Sequence, residues 1–246
     1  QHKQHCQMKK TLLMAAAALA AGVISSQAQP VYSQNIVGYA NLNLTSGYNL
    51  VSIQFNVGSS NGASEVFPSI PDGTELFQWD TSHSTFIYNF YDTGGGATAP
   101  VDSWYMADYS TPTNAPILKP GSAVFLLLPS AATNSVVGSV VNAYTNNLVA
   151  GYNMVGSVLP VGGASTSALF NLNGVPDGTE IFQWDAAHST YIYNFYDTGG
   201  GATAPEASWY MSDYSTPTNA PNLSVGQGMF FLTPSTYSWS QVLTNQ

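Results

Sequence analysis

Arginine is absent from this chain of 246 residues, and only four basic side chains of the lysine type stand against 13 aspartates and glutamates. Three of the lysines fall within the first ten residues, so Lys119 is the only one in the remainder of the chain. Phosphate backbones are bound by clustered Lys and Arg, and anionic membrane surfaces attract the same side chains. The composition therefore excludes nucleic acid as a partner and excludes electrostatic attachment to an anionic membrane.

Cysteine occurs once, at Cys6, so the sequence offers no intramolecular disulfide and no thiol nucleophile beyond that position. It also lacks a Gly-x-Ser-x-Gly elbow, a His-Glu-x-x-His helix and a phosphate-binding loop. A domain without disulfides must be stabilised by packed apolar faces. The composition allows this, because 44% of the residues are hydrophobic and 13% are aromatic.

A hydrophobic run long enough for a confident membrane span is also missing, and the longest apolar stretch lies near the N-terminus. Met8-Lys9-Lys10, the apolar run 11–24 and Ser26-Gln27-Ala28 have the order of a basic region, a short hydrophobic region and a cleavage site. We therefore expect residues 1–28 to be an upstream extension plus a signal peptide, with a mature chain from Gln29 that has no integral membrane segment. The expected location is secreted, either extracellular or at the cell surface, with the periplasm as the alternative.

The strongest positive feature is an internal duplication. Residues 71–116 and 176–221 are identical at 39 of 46 positions with a constant offset of 105. A repeat of this length can carry its own hydrophobic core. The sequence therefore predicts two duplicated domains of about 100 residues each, a first β-domain at 29–138 and a second at 139–246.

The local pattern predicts strands in both copies. Short runs rich in aromatic and β-branched residues are separated by turn signals, and helical periodicity is nearly absent. Residues 76–79 and 86–91 predict a hairpin with aromatic pairs across its strands, and residues 124–128 predict a buried central strand. The predicted fold class is all-β, as two tandem β-sandwich or barrel-like domains.

The two copies share an ordered set of short motifs. The first copy contains Gly47-Tyr48-Asn49-Leu50-Val51, Trp79-Asp80, Tyr88, Trp104, Pro120-Gly121-Ser122-Ala123-Val124-Phe125 and Pro129. The second copy contains Gly151-Tyr152-Asn153-Met154-Val155, Trp184-Asp185, Tyr193, Trp209, Gly226-Gln227-Gly228-Met229-Phe230-Phe231 and Pro234. In these motifs the chain resembles a family of secreted tandem-repeat β-modules from Gram-negative environmental bacteria. Ala123 and Val225 depart from the family pattern, which favours Gly and Pro there. The resemblance implies an exported β-module and no particular reaction.

The duplicated acidic residues suggest two kinds of site. Asp92-Thr93-Gly94 and Asp197-Thr198-Gly199 match the triplets with which aspartic hydrolases share a proton between two carboxylates. Asp80, Asp92, Asp185 and Asp197 are candidate calcium ligands from neighbouring loops, although no Asp-x-Asp-x-Asp-Gly spacing is present. The alternative interpretation of all four is that they form hydrogen bonds within ordinary turns. No other cofactor is predicted.

Aromatic side chains beside the long loops are the candidate ligand-binding residues. They are Tyr91, Trp104 and Tyr109 in the first copy and Tyr196, Trp209 and Tyr214 in the second. Aromatic rings next to Asn, Asp and Gln suit stacking on sugars, but the same rings also suit a hydrophobic core. We therefore expect a non-enzymatic adhesion or glycan-binding protein whose partner is a polysaccharide or a surface protein. A purely structural surface protein is the alternative, and an aspartic hydrolase is the second alternative.

Overall fold

Antiparallel strands form nearly all of the regular structure in the computed structural model, which describes residues 36–94, 103–199 and 208–243. The predicted signal peptide lies outside these residues, as do the centres of both Gly-rich loops. In the first half the elements are β1 (Val37–Leu44), β2 (Gly47–Ser52), β3 (Phe55–Asn56), α1 (Ala63–Val66), β4 (Glu75–Asp80), β5 (Thr85–Asp92), β6 (Ser103–Met106), β7 (Pro112–Thr113), β8 (Ala123–Leu128) and β9 (Ala132–Val140).

The second half repeats the strands of the large sheet, but it has an additional strand, β17, and no helix among its described residues. Its strands are β10 (Ala143–Leu148), β11 (Gly151–Gly156), β12 (Gly163–Ala164), β13 (Glu180–Asp185), β14 (Thr190–Asp197), β15 (Ser208–Met211), β16 (Pro217–Thr218), β17 (Asn222–Leu223), β18 (Gly228–Thr233) and β19 (Tyr237–Val242). The all-β fold class is confirmed. In the described ranges, no helix has the length and apolar character needed to cross a membrane.

Two six-stranded sheets of equivalent order dominate the fold. Their orders are β2-β8-β4-β5-β6-β7 and β11-β18-β13-β14-β15-β16. The predicted hairpin is present as β4 and β5, in which Phe77 pairs with Tyr88 and Trp79 with Phe86. The predicted central strand is β8, which lies between β2 and β4 with five of its six side chains buried. A fully buried strand reads as a continuous apolar run, and this explains the Val-Phe-Leu-Leu-Leu sequence.

Each six-stranded sheet packs one face against a smaller sheet. In the first half, Leu76, Trp104 and Leu126 pack against Leu42 and Val136 from the sheet β1-β9-β3. In the second half, an equivalent core lies between the six-stranded sheet and the pair β10-β19. Since side chains alternate between the faces of a strand, neighbouring residues point the other way and are available for a second contact.

A third core joins the two six-stranded sheets. It contains Leu50, Ala123 and Phe125 from the first half with Met154 and Phe230 from the second. The strand ladders themselves stay within 37–140 or within 143–242, although Ile36–Gln246 forms one compact unit. Among the described residues the two six-stranded sheets have linear strand orders and do not close into barrels, which agrees with a sandwich of stacked sheets. The division into domains 29–138 and 139–246 stays a prediction.

Candidate binding site

The two halves contact each other through reciprocal hydrogen bonds. Trp79 Nε1 donates to the carbonyl oxygen of Tyr152 at 2.8 Å, and Trp184 Nε1 donates to that of Tyr48 at 2.7 Å. Trp79 and Trp184 are equivalent in the duplication, as are Tyr48 and Tyr152. The same face of each half therefore contacts the other, as in the two-fold interface of a homodimer.

Backbone contacts near the centre follow the same symmetry. Isolated β-bridges join Val51 to Gln227 and Ser122 to Val155, and these two pairs are equivalent. The N–H of Ser52 donates to the carbonyl of Gly226 at 2.8 Å, and the N–H of its counterpart Gly156 donates to the carbonyl of Gly121 at 3.2 Å. The interface thus fixes the backbone as well as the aromatic side chains.

The β4–β5 hairpin places its aromatic residues on the interface face. Strand alternation puts Phe77 and Trp79 on that face, and the register brings Tyr88 and Phe86 directly opposite. The hairpin turn is held by Asp80, which accepts hydrogen bonds from the backbone N–H and the hydroxyl of Ser82 and contacts His83 Nδ1 at 2.7 Å. The second hairpin repeats the contact between Asp185 and His188.

These side chains belong to a continuous set of rings that we call the aromatic ribbon. Successive centroids from Phe90 through Tyr109, Tyr88, Phe77 and Tyr48 are 5.1 to 6.0 Å apart. The ribbon comprises Tyr48, Phe77, Trp79, Phe86, Tyr88, Phe90, Tyr109 and Phe125, with the equivalent Tyr152, Phe182, Trp184, Tyr191, Tyr193, Phe195, Tyr214 and Phe230. It crosses from one half to the other where Tyr48 and Trp184 are 6.2 Å apart.

Much of the ribbon is open to solvent. Among the described residues, seven aromatic side chains are classed as exposed, and all except Tyr39 belong to it. The most exposed member is Tyr109, at 55%. The exposed members are Tyr48, Phe86, Tyr109, Tyr152, Tyr191 and Tyr214. A contiguous exposed patch of this kind is typical of a binding surface rather than of an inert one.

At the centre of the ribbon the two halves enclose a cleft of about 280 Å³, which we call the aromatic cleft. Its walls are Tyr48, Phe77, Phe86 and Phe125 from the first half and Trp184 and Tyr191 from the second. Both halves are needed to build it. The cleft is nearly a pure aromatic surface, so flat ring faces are the chemistry that it offers to a ligand.

Burial favours the neutral form of three ribbon phenols, Tyr88, Tyr191 and Tyr193. Burial is the main cause that raises the pKa of Tyr88 above its usual range, and nearby Tyr109 and Glu75 add to it. The pKa of Tyr193 is raised in the same way by burial, Tyr214 and Glu180. Burial also raises the pKa of Tyr191 and of Glu180. Phenols with raised pKa values stay protonated and can still serve as neutral hydrogen-bonding groups.

The six predicted binding residues fall into two groups. Trp104 and Trp209 are buried, at 2% and 5% exposure, and the Nε1 of Trp104 donates to Ser64 Oγ at 2.8 Å. This corrects their assignment as ligand-binding residues, because a ring inside the core has no face to offer. Tyr91 and Tyr196 pack at 5.2 Å against these indoles, on the core side of the sheet.

Tyr109 and Tyr214, in contrast, are exposed members of the ribbon on the opposite face. The six predicted residues therefore lie on two opposite faces of the sheets and do not form one surface. Sequence reasoning did not select the cleft residues Tyr48, Phe86, Trp184 and Tyr191. The usable signal was the alternation of aromatic residues at 77, 79, 86, 88 and 90, which assigns all of them to one face of a hairpin.

The predicted acidic sites are occupied by local hydrogen bonds. Asp92 accepts from the N–H of Gly94, and Asp197 from that of Gly199, each at 2.7 Å. The Ser82 hydroxyl and His83 hold the pKa of Asp80 well below its usual range. No three His, Cys, Asp or Glu side chains in the described ranges come together as metal ligands, so the four acids do not converge on a calcium site there. No hydrogen bond joins Asp92 to Asp197 in those ranges.

In comparisons with protein-family models, curated proteins and solved structures, nothing matches this chain.

Proposed function

We propose that this is a non-enzymatic, exported protein that binds polysaccharide on its aromatic ribbon and so acts in adhesion at the cell surface or outside the cell. The observation that carries the proposal is the arrangement of the exposed aromatic side chains. Six of them lie on one uninterrupted ribbon that spans both halves. The proposal of export rests separately on the N-terminal pattern at residues 8–28.

The chemistry of the ribbon suits sugars. The C–H faces of a pyranose ring are apolar and flat, and they pack against aromatic faces, whereas the hydroxyl groups at its rim need hydrogen-bonding partners. Tyrosine supplies both an apolar ring and a polar hydroxyl. Tyr48 and Tyr191 are placed in this way at the aromatic cleft, and Tyr109 and Tyr214 at the outer ends of the ribbon.

Charge favours a neutral polysaccharide. The formal net charge of the whole chain is −9, and the described ranges contain a single lysine, Lys119. An acidic polysaccharide would meet electrostatic repulsion with no guanidinium or ammonium cluster to offset it. The ribbon has two equivalent parts, one in each half, and this favours a repetitive ligand. Once one part has bound the ligand, the other part binds it at a high effective concentration.

A structural surface protein is the second candidate, and one observation favours it. Strand β1 lies at the edge of its sheet, and its outward side chains Val37 and Tyr39 are exposed at 66% and 74%. An exposed edge of this kind can pair with a strand from another copy of the chain. Self-association through β1 would then replace glycan binding as the main role.

The two functions are separated by a retention experiment with residues 29–246. The purified protein is incubated with insoluble cellulose, chitin and xylan, and the bound fraction is measured with and without calcium. We expect wild-type retention on at least one neutral polysaccharide, and at least tenfold weaker binding by Tyr109→Ala/Tyr214→Ala, since both ends of the ribbon are removed. Tyr39→Ala is the matched control, because it removes an exposed tyrosine outside the ribbon.

Two results would contradict the glycan proposal. One is the absence of wild-type retention on every polysaccharide. The other is equal retention of the double variant and the wild type. Loss of self-association in Tyr39→Ala, measured by sedimentation velocity, would support the structural alternative.

A further inference from the structure

A second depression adjoins the aromatic cleft across Trp184, and its chemistry is different. It has a volume of about 340 Å³ and lies between β1 and β2 of the first half and Trp184, Ala186 and residues 224–227 of the second. Trp184 forms part of the wall of both depressions. We call this second depression the amide groove because Asn41, Asn43 and Gln227 are in its lining.

The three amides keep donors for a ligand. Asn41 Oδ1 accepts from Ser135 Oγ at 2.7 Å, and Asn43 Oδ1 accepts from Thr133 Oγ1 at 3.3 Å. Gln227 Oε1 accepts the backbone N–H of Ser224 at 2.9 Å. Each oxygen is therefore held, while none of the three amide nitrogens donates a hydrogen bond to another described residue. An amide whose oxygen is fixed has an oriented NH₂ group for an incoming acceptor.

The equivalent region beside Trp79 is built differently. Where the first half has Ala40 and Leu42, the second has Tyr144 and Asn146. Asn146 Nδ2 is already used, since it donates to the carbonyl of Gly121 at 2.9 Å, and the Tyr144 ring lies close against Gly121. Gln227 and Ser224 are replaced there by Ser122 and Lys119. The equivalents of Asn41 and Asn43 are Thr145 and Asn147. Asn147 Oδ1 accepts from Ser238 Oγ at 2.9 Å, as Asn43 Oδ1 accepts from Thr133 Oγ1, so the amides found only on the Trp184 side are those of Asn41 and Gln227.

We propose that the amide groove is a second subsite for the same ligand, so that one neutral, hydroxyl-rich polysaccharide chain runs from the aromatic cleft over Trp184 into the groove. This inference rests on the proposed function. Sugar rings stack in the cleft, and in the groove their hydroxyl and ring oxygens accept hydrogen bonds from Asn41, Asn43 and Gln227. Without a cation in the groove lining, a uronic acid gains nothing that a neutral sugar lacks.

The proposal predicts a dependence on ligand length that only one side of the molecule produces. Cello-oligosaccharides and chito-oligosaccharides from disaccharide to hexasaccharide are titrated into residues 29–246 by calorimetry, with polygalacturonate as the acidic probe. Ala186→Glu narrows the groove and adds a negative charge, and Thr81→Glu makes the same change at the equivalent position beside Trp79.

For the wild type we expect affinity to rise at least tenfold between the shortest ligand that binds and the hexasaccharide, with no binding of polygalacturonate. Ala186→Glu is expected to lose this rise and keep the affinity for short ligands, whereas Thr81→Glu is expected to behave as the wild type. Asn41→Ala, which changes only an exposed side chain, is expected to lose at least threefold for the hexasaccharide alone.

Three outcomes overturn the inference, and they are distinguishable. If no neutral oligosaccharide or polysaccharide binds the wild type, the proposed function fails and the groove assignment fails with it. If glycans bind but Ala186→Glu and Thr81→Glu weaken the hexasaccharide equally or not at all, only the groove assignment fails. If polygalacturonate binds as tightly as the neutral ligands, the assignment to a neutral ligand fails.

Discussion

The two halves of the chain differ most in how they cover the outer face of the same sheet. In the duplicated block they are alike: Phe77 pairs with Tyr88 in one half, and Phe182 pairs with Tyr193 in the other. Outside the block, the first half uses helix α1 and a three-stranded sheet. The second half has no helix among its described residues and uses two-stranded sheets instead.

One pair of equivalent residues shows the physical reason that both solutions work. Asn134 and Trp239 occupy the same position of β9 and β19, and both are buried. Asn134 Nδ2 donates to the carbonyl of Val66 at 2.9 Å, and Trp239 Nε1 donates to that of Phe170. A buried carbonyl needs a donor, but the donor can be an amide or an indole. The position is therefore constrained by hydrogen bonding and not by side-chain size.

Trp239→Ala is expected to have the largest effect, because it tests the bulkier of the two solutions. Removing the indole leaves a cavity and leaves the Phe170 carbonyl without its donor, which together destabilise by about 3–5 kcal/mol. Asn134→Ala is the matched change in the first half. It removes little volume but also loses the bond from the Ser69 N–H to Asn134 Oδ1, and we expect about 1–3 kcal/mol.

Urea unfolding monitored by fluorescence and circular dichroism measures both values. A larger loss for Asn134→Ala than for Trp239→Ala would show that the comparison is wrong and that hydrogen bonding dominates cavity formation at this position. Separate unfolding transitions for the two halves would also support the predicted domain division at 138/139.

The sequence predicted the elements of this comparison unevenly. Apolar runs and turn residues were enough for β8 and for the β4–β5 hairpin, because strand formation there depends on local pattern. The pattern at Trp104 was compatible with a core position and with a binding surface, because the burial of Trp104 depends on the sheet that packs over this residue. The aromatic cleft requires Tyr48 and Trp184, which are 136 residues apart and meet only across the interface. No local pattern contains that information.

The contact between equivalent residues at the centre of the interface gives a second test of how alike the two halves are. Ser52 and Gly156 are equivalent residues and lie against each other, so that a Cβ added to Gly156 would be only 2.0 Å from Ser52 Cβ. Gly156→Ser is therefore expected to destabilise by about 1–3 kcal/mol through overpacking. The swapped variant Ser52→Gly/Gly156→Ser restores one serine and one glycine at the axis and is expected to recover most of the loss.

The same unfolding measurement decides the outcome of this exchange. Recovery in the swapped variant means that the two sides of the axis are interchangeable. If the swapped variant is as unstable as Gly156→Ser alone, the surroundings of the two positions differ and the interface is not symmetric in energy.

The reciprocal indoles give a smaller and symmetric effect. Trp79→Phe and Trp184→Phe each remove one N–H donor to a carbonyl of the other half while keeping an aromatic ring. We expect each to cost about 1 kcal/mol, as is usual for one hydrogen bond, and the two costs to agree within about 0.5 kcal/mol. Trp239→Phe is the control, because the hydrogen bond that it removes joins two residues of the same half. A clear inequality between Trp79 and Trp184 would show that one side of the interface dominates.

The smallest effect concerns a carboxylate that only the first half has. Glu65 accepts hydrogen bonds from the N–H groups of Ser59, Gly62 and Ser60, and these bonds, led by that of Ser59, lower its pKa to about 2. Because the folded pKa is lower than the unfolded one, the ionised carboxylate stabilises the fold above about pH 4.5, and the contribution disappears as the pH falls towards about 2. Glu65→Gln should therefore melt at a lower temperature than the wild type at pH 7, and the two melting temperatures should converge as the pH falls from 4.5 to 2. The segment 161–175 of the second half contains no acid, so a substitution of an exposed residue there, such as Thr166→Ala, should leave the pH profile unchanged. A melting-temperature difference that stays constant down to pH 2 would mean that Glu65 stabilises its loop by packing and not by its charge.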